Sequence, residues 1–85
     1  MPEHIKELKK LQKLCWKEIE RYVSERDSLG TKVMAEDIAD LDFLIRHPFC
    51  TNGEEWDSVH ELVISFKTRD KIEFPFLAEI ISKRV

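Results

Sequence analysis

Glycine, proline and cysteine are all scarce in this 85-residue chain, which contains 2, 3 and 2 of them. So few glycines and prolines exclude collagen-like repeats and flexible linkers, and a 42% hydrophobic content excludes wholesale disorder. Two cysteines are too few for a disulfide framework, which favours a reducing, cytoplasmic location. No apolar run approaches the roughly 20 residues of a membrane helix, and the first residues lack the plan of a signal peptide. We therefore expect an intracellular protein that does not associate with membranes.

The length fits a single domain over residues 1–85, because domains most often have about 100–150 residues. Charge is distributed unevenly along this domain, although the totals of 14 basic and 17 acidic residues give a net charge of only −3. Residues 1–26 carry +2, residues 27–61 carry −7 and residues 62–85 carry +2. An acidic middle between mildly basic ends predicts a polarised surface, which steers association more than it determines the fold.

Residues 3–27 have the periodicity of a long amphipathic helix. Its predicted apolar arc consists of Ile5, Leu8, Leu11, Cys15, Trp16, Ile19, Tyr22 and Val23. The opposite face carries a set of cations that we name the basic stripe: Lys6, Lys10, Lys13, Lys17 and Arg21. We expect the helix to end at the segment 27–30, with Gly30 in the left-handed conformation that often terminates helices.

A second helix is predicted over residues 32–46, with Thr31 as its N-cap and Pro48 preventing its continuation. Its apolar residues form two stripes, which predicts contacts on two sides. The first stripe is Met34, Ile38, Leu41 and Ile45, and the second is Ala35, Ala39 and Phe43.

The segment after the Asn52-Gly53 turn has two competing periodicities. Trp56, Val59, Val63 and Phe66 have helical spacing, whereas residues 62–66 and 72–76 alternate as strands do. The β-branched and aromatic content favours a short helix over 54–60, a hairpin with strands 61–67 and 71–75, and a terminal helix over 76–84. The sequence thus predicts a mostly helical α+β fold with a long N-terminal helix, a second helix, a β-hairpin and a short C-terminal helix. The alternative is an all-α four-helix bundle.

The acidic middle segment is the favoured functional site. It predicts a surface that binds a larger protein with a basic surface, and a tryptophan within it either completes the core or anchors the interface. The residues predicted to contact the partner are Glu36, Asp37, Asp40, Asp42, Glu54, Glu55, Trp56 and Asp57. We therefore expect a small non-enzymatic interaction module acting as a regulator, inhibitor or subunit, although a solvated acidic face without a partner explains the same residues.

Nucleic-acid binding is the alternative function. Residues 34–41 resemble the second helix of helix-turn-helix domains, and the hairpin would carry Lys67, Arg69 and Lys71 near its tip as a basic wing. The basic stripe could contact phosphates, but it also fits an ordinary solvated helix face. The acidic charges near Trp56 would repel phosphates, which makes nucleic acid the weaker expectation. Self-association is a third reading, because the basic helix of one copy could meet the acidic segment of another.

Metal and catalytic sites find little support in the sequence. His47, Cys50, His60 and Cys15 are feasible zinc ligands, but only the first two have a paired spacing. A cysteine nucleophile beside a histidine base is conceivable, yet nothing in the spacing places them together. A glycine-rich phosphate loop is absent, since the only glycines are Gly30 and Gly53. We expect no metal, no cofactor and no catalytic residue.

Overall fold

Four α-helices make up the fold in a computed structural model, which describes residues 2–84. In chain order they are α1 (Glu3–Ser24), α2 (Ser28–Arg46), α3 (Glu55–Asp70) and α4 (Pro75–Ser82). No strand occurs between residues 2 and 84, so the predicted α+β fold is wrong and the all-α alternative is the fold observed.

The predicted hairpin is replaced by α3, a single helix of 16 residues. Trp56, Val59, Leu62, Val63 and Phe66 are all buried on one face of this helix, whereas Ile64 lies exposed. Helical spacing therefore buries five apolar side chains against α1, α2 and α4, while a two-stranded hairpin is only marginally stable by itself. The residues expected to form the hairpin turn, 68–70, are instead the last helical turn.

The turn between α1 and α2 uses different residues from those predicted. Arg26 adopts the left-handed conformation with φ 57°, and the Asp27 and Arg26 amides donate to the carbonyl oxygens of Tyr22 and Val23. This hydrogen-bond pattern is a Schellman motif, which ends α1 at Ser24 rather than at residue 27.

Asp27, rather than Thr31, is the N-cap of α2, because its carboxylate accepts the Gly30 amide at 2.8 Å. Gly30 therefore lies in the first turn of α2, where a Cβ atom would come within 2.8 Å of Asp27 Oδ2 and of Tyr22 Cδ1. The glycine is needed for this close approach rather than for a left-handed backbone.

The helices α1 and α2 form an antiparallel pair. The Gln12 side chain donates to the Ile38 carbonyl, and His4 at the start of α1 donates to the Pro48 carbonyl beyond the end of α2. Burial along α1 is narrower than the predicted arc, since Ile5, Leu8, Leu11 and Cys15 are buried but Trp16 is 53% exposed and Val23 is exposed.

The short helix α4 is attached to α1 through Glu7. Pro75 occupies the first turn of α4, and the Glu7 carboxylate accepts the Phe76 amide at 3.3 Å and the Leu77 amide at 2.9 Å. A side chain of α1 thus satisfies amides that an isolated helix would leave without a partner. Phe74 and Leu77 are buried in the common core as a result.

Candidate functional site

Trp56, the predicted interface anchor, lies in the core. Its side chain has 0% exposure, and Nε1 donates to the Cys50 carbonyl oxygen at 3.0 Å. Its position in the first turn of α3 places it against the loop at residues 47–54, whose backbone its indole supports. Trp56 therefore presents no surface to a partner, and its prediction as a contact residue is corrected.

Packing of α2 against α3 brings together four carboxylates. Asp37 and Asp40 on α2 face the start of α3, where Ser58 Oγ donates to Asp40 Oδ2 at 2.5 Å. Glu61 on α3 and Glu36 on α2 are also close enough to act on Asp37. We name Glu36, Asp37, Asp40 and Glu61 the acidic cluster.

Asp37 is the perturbed member of the acidic cluster. Partial burial, together with the negative charges of Asp40, Glu61 and Glu36, raises the pKa of Asp37 from 3.8 to about 6. The Ser58 hydroxyl opposes this rise. None of the ion pairs found within residues 2–84 includes a member of the acidic cluster.

The other predicted acidic residues lie elsewhere. Asp42 forms an ion pair with Arg46 at 3.0 Å within α2. Asp57, at the start of α3, is 3.6 Å from the guanidinium of Arg84. Glu54 is exposed beside the same helix start, and Glu55 is half-buried. The predicted set is thus divided among the acidic cluster, an internal pair on α2 and the first turn of α3.

Two exposed apolar side chains flank the acidic cluster on α2. Val33 is 48% exposed and lies three residues before Glu36, and Phe43 is 41% exposed and lies three residues after Asp40. Residues three or four apart share a helix face, so Val33 and Phe43 lie at the two ends of a row on α2 that has Glu36 and Asp40 between them. Phe43 also packs against His47, with ring centroids 4.3 Å apart and ring planes tilted by 37°. The sequence analysis selected acidic residues by the net charge of their segment and did not identify this face of α2. The helical spacing of residues 33, 36, 40 and 43 could have indicated it.

The basic stripe is partly engaged by other groups of the protein. Lys6 pairs with Glu3 at 3.4 Å, and Arg21 pairs with Glu18 at 2.8 Å. Lys10 lies 5.6 Å from the centre of the Phe74 ring. The remaining members, Lys13 and Lys17, are exposed.

The predicted basic wing does not form, because its residues lie at the end of α3. Arg69 binds Glu18 at 2.6 Å rather than projecting from a hairpin tip. The two regions expected to contact nucleic acid together are therefore not presented as a helix and a wing.

Cys15, one of the two free cysteines, is buried in the core. Burial, with the charges of Asp37 and Glu18, raises the pKa of Cys15 to about 12, so its thiol stays protonated at neutral pH. Within residues 2–84, no three His, Cys, Asp or Glu side chains are placed to hold a metal ion. None of the four helices described is both long and apolar enough to cross a bilayer. Comparison with protein-family models, with curated proteins and with solved structures finds no match.

Proposed function

We propose that this protein is a non-enzymatic interaction module, a small regulator, inhibitor or subunit, that binds a larger protein carrying a basic surface. The proposed contact surface is the acidic cluster with the flanking side chains of Val33 and Phe43, which we name the acidic α2 surface. Both cysteines are free thiols, which supports a reducing, cytoplasmic setting for this interaction.

The observation that carries the proposal is the uncompensated charge of the acidic cluster. Where α2 meets α3, Asp40, Glu61 and Glu36 lie near enough to Asp37 that their negative charges add to the effect of its burial and raise its pKa. A nearby cation would favour the charged form of Asp37 and relieve the repulsion. A partner's Arg or Lys can supply that cation, and complementary charge also accelerates association and excludes partners of the wrong sign.

The apolar members of the acidic α2 surface support a protein partner rather than a free cation. Val33 and Phe43 lie ten residues apart, which corresponds to about 15 Å along a helix. Exposed apolar and aromatic groups beside charged groups are typical of the centre and rim of protein interfaces. A basic partner element with apolar side chains would match both features.

The remaining predicted acidic residues have a subsidiary role in this proposal. Asp42, Glu54, Glu55 and Asp57 lie outside the acidic cluster, and they add negative potential that attracts a basic partner over a longer range. Asp42 and Asp57 are already paired within the protein, so we assign the direct contact to the acidic α2 surface alone.

Affinity capture with a charge-reversed pair of variants tests the proposal. The test variant is Glu36→Lys with Glu61→Lys, because both residues are exposed and neither accepts the Ser58 hydrogen bond. The matched control is Glu20→Lys with Glu25→Lys. Both carboxylates are exposed; Glu20 lies within α1 and Glu25 directly follows its last residue. Each tagged protein is incubated with lysate of the source cells, with and without nuclease treatment, and retained proteins are quantified.

We expect the wild type and the control to retain one larger protein in near-equal amount, and the test variant to lose it. Binding of the purified partner should also weaken between pH 7 and pH 5, because Asp37 loses its charge over that range. Equal retention by the test variant contradicts the proposed surface. Retention that disappears on nuclease treatment alone favours the basic stripe as a nucleic-acid contact instead.

A further inference from the structure

The solvent side of α1 presents lysines and one tryptophan. Between residues 5 and 19 no acidic residue of this helix is exposed, and the exposed residues are Lys6, Lys9, Lys10, Lys13, Trp16 and Lys17. Trp16 is 53% exposed and lies three residues after Lys13, so its indole borders the lysines. We name these six residues the lysine face.

The acids of the same stretch are turned toward neighbouring helices and are already engaged there. The Glu7 carboxylate accepts two amides of α4. Glu18 pairs with Arg21 at 2.8 Å and with Arg69 at 2.6 Å. Neither glutamate is therefore free to neutralise the lysine face.

The acids at the ends and sides of the lysine face leave it with an excess of positive charge. Glu3 pairs with Lys6 at 3.4 Å, and Glu20 is exposed one turn after Lys17. Acids of the other segments pair with cations outside the lysine face: Asp42 with Arg46, Asp70 with Arg69, Glu73 with Lys67 and Glu79 with Lys83. The five lysines thus meet only two carboxylates of α1, one at each end of the row.

Repulsion among the lysines is not relieved within the protein. Lys9, Lys13 and Lys17 follow one another at intervals of four residues, a spacing at which like charges destabilise a helix. None of the three forms an ion pair within residues 2–84. The lysine face is therefore complementary to a ligand that carries several negative charges in a row.

The lysine face and the acidic cluster belong to different sides of the fold. The helix α1 packs against α2 and α4, and α3 packs against the same two helices. The acidic cluster lies where α2 meets α3, whereas the lysine face is the solvent side of α1. A polyanion bound to α1 thus approaches from a side that the acidic cluster does not occupy.

A single-stranded nucleic acid matches both components of the lysine face. From Lys6 to Lys17 the helix extends about 16 Å, enough to reach several phosphates of a strand. Unpaired bases stack on exposed aromatic rings such as that of Trp16, whereas a duplex hides its base faces. An acidic peptide supplies charge but no planar base for the indole. A bilayer requires an apolar helix face, and the apolar face of α1 is buried in the core.

We propose that the lysine face binds single-stranded nucleic acid without sequence preference, with the lysines on phosphates and Trp16 stacked on a base. None of these side chains is assigned to the ribose 2′-hydroxyl, so RNA and DNA strands bind alike. The affinity is that of non-specific binding, with a Kd of about 1–100 μM at physiological salt. This contact does not involve the acidic α2 surface, so the strand and the partner protein occupy separate sites.

Fluorescence titration of the purified full chain with an oligothymidylate of about 20 nucleotides tests this contact. Trp16 is exposed and Trp56 is fully buried, so quenching reports on Trp16. With four phosphates contacted, the affinity should fall about 50-fold between 50 and 200 mM salt. The matching oligouridylate should bind with similar affinity, and the duplex with oligoadenylate should bind more weakly and without quenching.

Lysine reversal on α1 separates the lysine face from the other cations of the protein. Lys13→Glu with Lys17→Glu should weaken binding by about tenfold or more. The matched control is Lys32→Glu with Lys67→Glu, two exposed lysines outside α1 whose reversal changes the net charge equally. It should bind nearly as the wild type does. Glu20→Lys should strengthen binding, an effect that loss of folding does not produce.

Substitution of Trp16 tests the stacking contact. Trp16→Ala should weaken binding by about tenfold, whereas Trp16→Phe should retain most of the affinity because a phenyl ring still stacks on a base. Anisotropy of a fluorescein-labelled strand measures the affinity of every variant, and circular dichroism confirms that each is folded.

Undiminished binding by the Lys13→Glu, Lys17→Glu variant overturns the proposal, as does an equal loss in its matched control. Equal affinity for the duplex, for polyglutamate or for phosphatidylserine vesicles also overturns it, because the ligand would then be another polyanion. The Glu36→Lys, Glu61→Lys variant should bind the strand at least as tightly as the wild type, even where it has lost the larger partner. The two surfaces are thereby tested separately.

Discussion

Asp37 and Trp56 show how the same stretch of sequence can supply a surface charge and a core residue. Both were assigned to one interface on the basis of their neighbours in the sequence. In the folded protein Asp37 belongs to the acidic cluster, whereas Trp56 is fully buried. Their roles differ because α2 turns one toward three other carboxylates and α3 turns the other toward the core.

Asp37 makes stability depend on pH with a defined sign. Its pKa is about 6 in the folded protein against 3.8 ordinarily, so the folded state holds a proton that the unfolded state has lost between these values. The contribution of Asp37 to stability therefore falls as pH rises from about 4 to about 6. We expect Asp37→Asn to gain stability relative to the wild type across this range, measured by urea unfolding at pH 4, 5, 6 and 7.

Glu20→Gln, at an exposed position of α1, is the control for the pH series. It should follow the wild type at each pH. An Asp37→Asn variant whose stability difference from the wild type is the same at pH 4 and pH 7 contradicts the raised pKa.

Trp56 predicts a second effect at the residue scale. Trp56→Phe leaves space in the core and removes the donor to the Cys50 carbonyl, so we expect a loss of about 1–3 kcal/mol in the free energy of unfolding. Trp16→Phe, at a residue 53% exposed, should change it by no more than about 0.5 kcal/mol. Chemical unfolding measures both, and equal effects at the two tryptophans contradict the burial of Trp56.

At the scale of elements, α3 decides between the two periodicities of residues 55–76. Its end is marked by Lys71, which has φ 56° and ψ 32° and donates its amide to the Lys67 carbonyl. The sequence contains no glycine at this position, so the local signal for a helix end is missing. Without that signal, the prediction from sequence gave more weight to the strand propensity of the neighbouring residues than to their helical spacing, and it placed a hairpin where α3 forms.

Lys71→Gly distinguishes the helix from a hairpin. Glycine adopts the left-handed conformation without steric penalty, so we expect the variant to be more stable by about 0.5–1 kcal/mol. In a hairpin the same residue would begin a strand, where glycine destabilises. Lys67→Gly, inside α3, is the control and should cost about 1 kcal/mol. Thermal unfolding measures both changes, and a destabilised Lys71→Gly would contradict the observed helix end.

At the scale of the molecule, contacts between distant segments hold the fold together. Arg69 binds Glu18 across 51 positions, and Glu7 accepts two amides of α4 from 69 and 70 positions away. The loop that carries Phe49 is supported by His4 and Arg84 from the two ends of the described chain. These contacts join α1 to α3, to α4 and to the loop after α2 in one framework.

Removing the Glu7 carboxylate tests this framework. Glu7→Ala leaves the first amides of α4 without their partner, so we expect a loss of about 1–2 kcal/mol, as for other helix caps. Hydrogen exchange of the Phe76 and Leu77 amides should accelerate more than exchange in α2. Glu20→Ala serves as the control, with a change within about 0.5 kcal/mol. Unchanged exchange at these two amides contradicts the capping role.

The sequence by itself determined that α1 and α2 are helices and placed their ends within a few residues, because each has a clear helical periodicity that stops at polar residues. It also determined the separation of acidic and basic segments, which depends only on the order of the charged residues along the chain. It did not identify Arg26 and Lys71 as helix ends, since both use a left-handed conformation without glycine.

Only the tertiary structure decided the conformation of residues 61–75, the burial of Trp56 and the membership of the acidic cluster. Either periodicity of residues 55–76 provides an apolar face, and the choice depends on which face finds apolar surface on α1, α2 and α4 to cover it. The acidic cluster likewise requires Glu61 to approach Asp37 across the α2–α3 contact. Burial and electrostatic repulsion depend on distances between segments, and those distances exist only once the helices have packed.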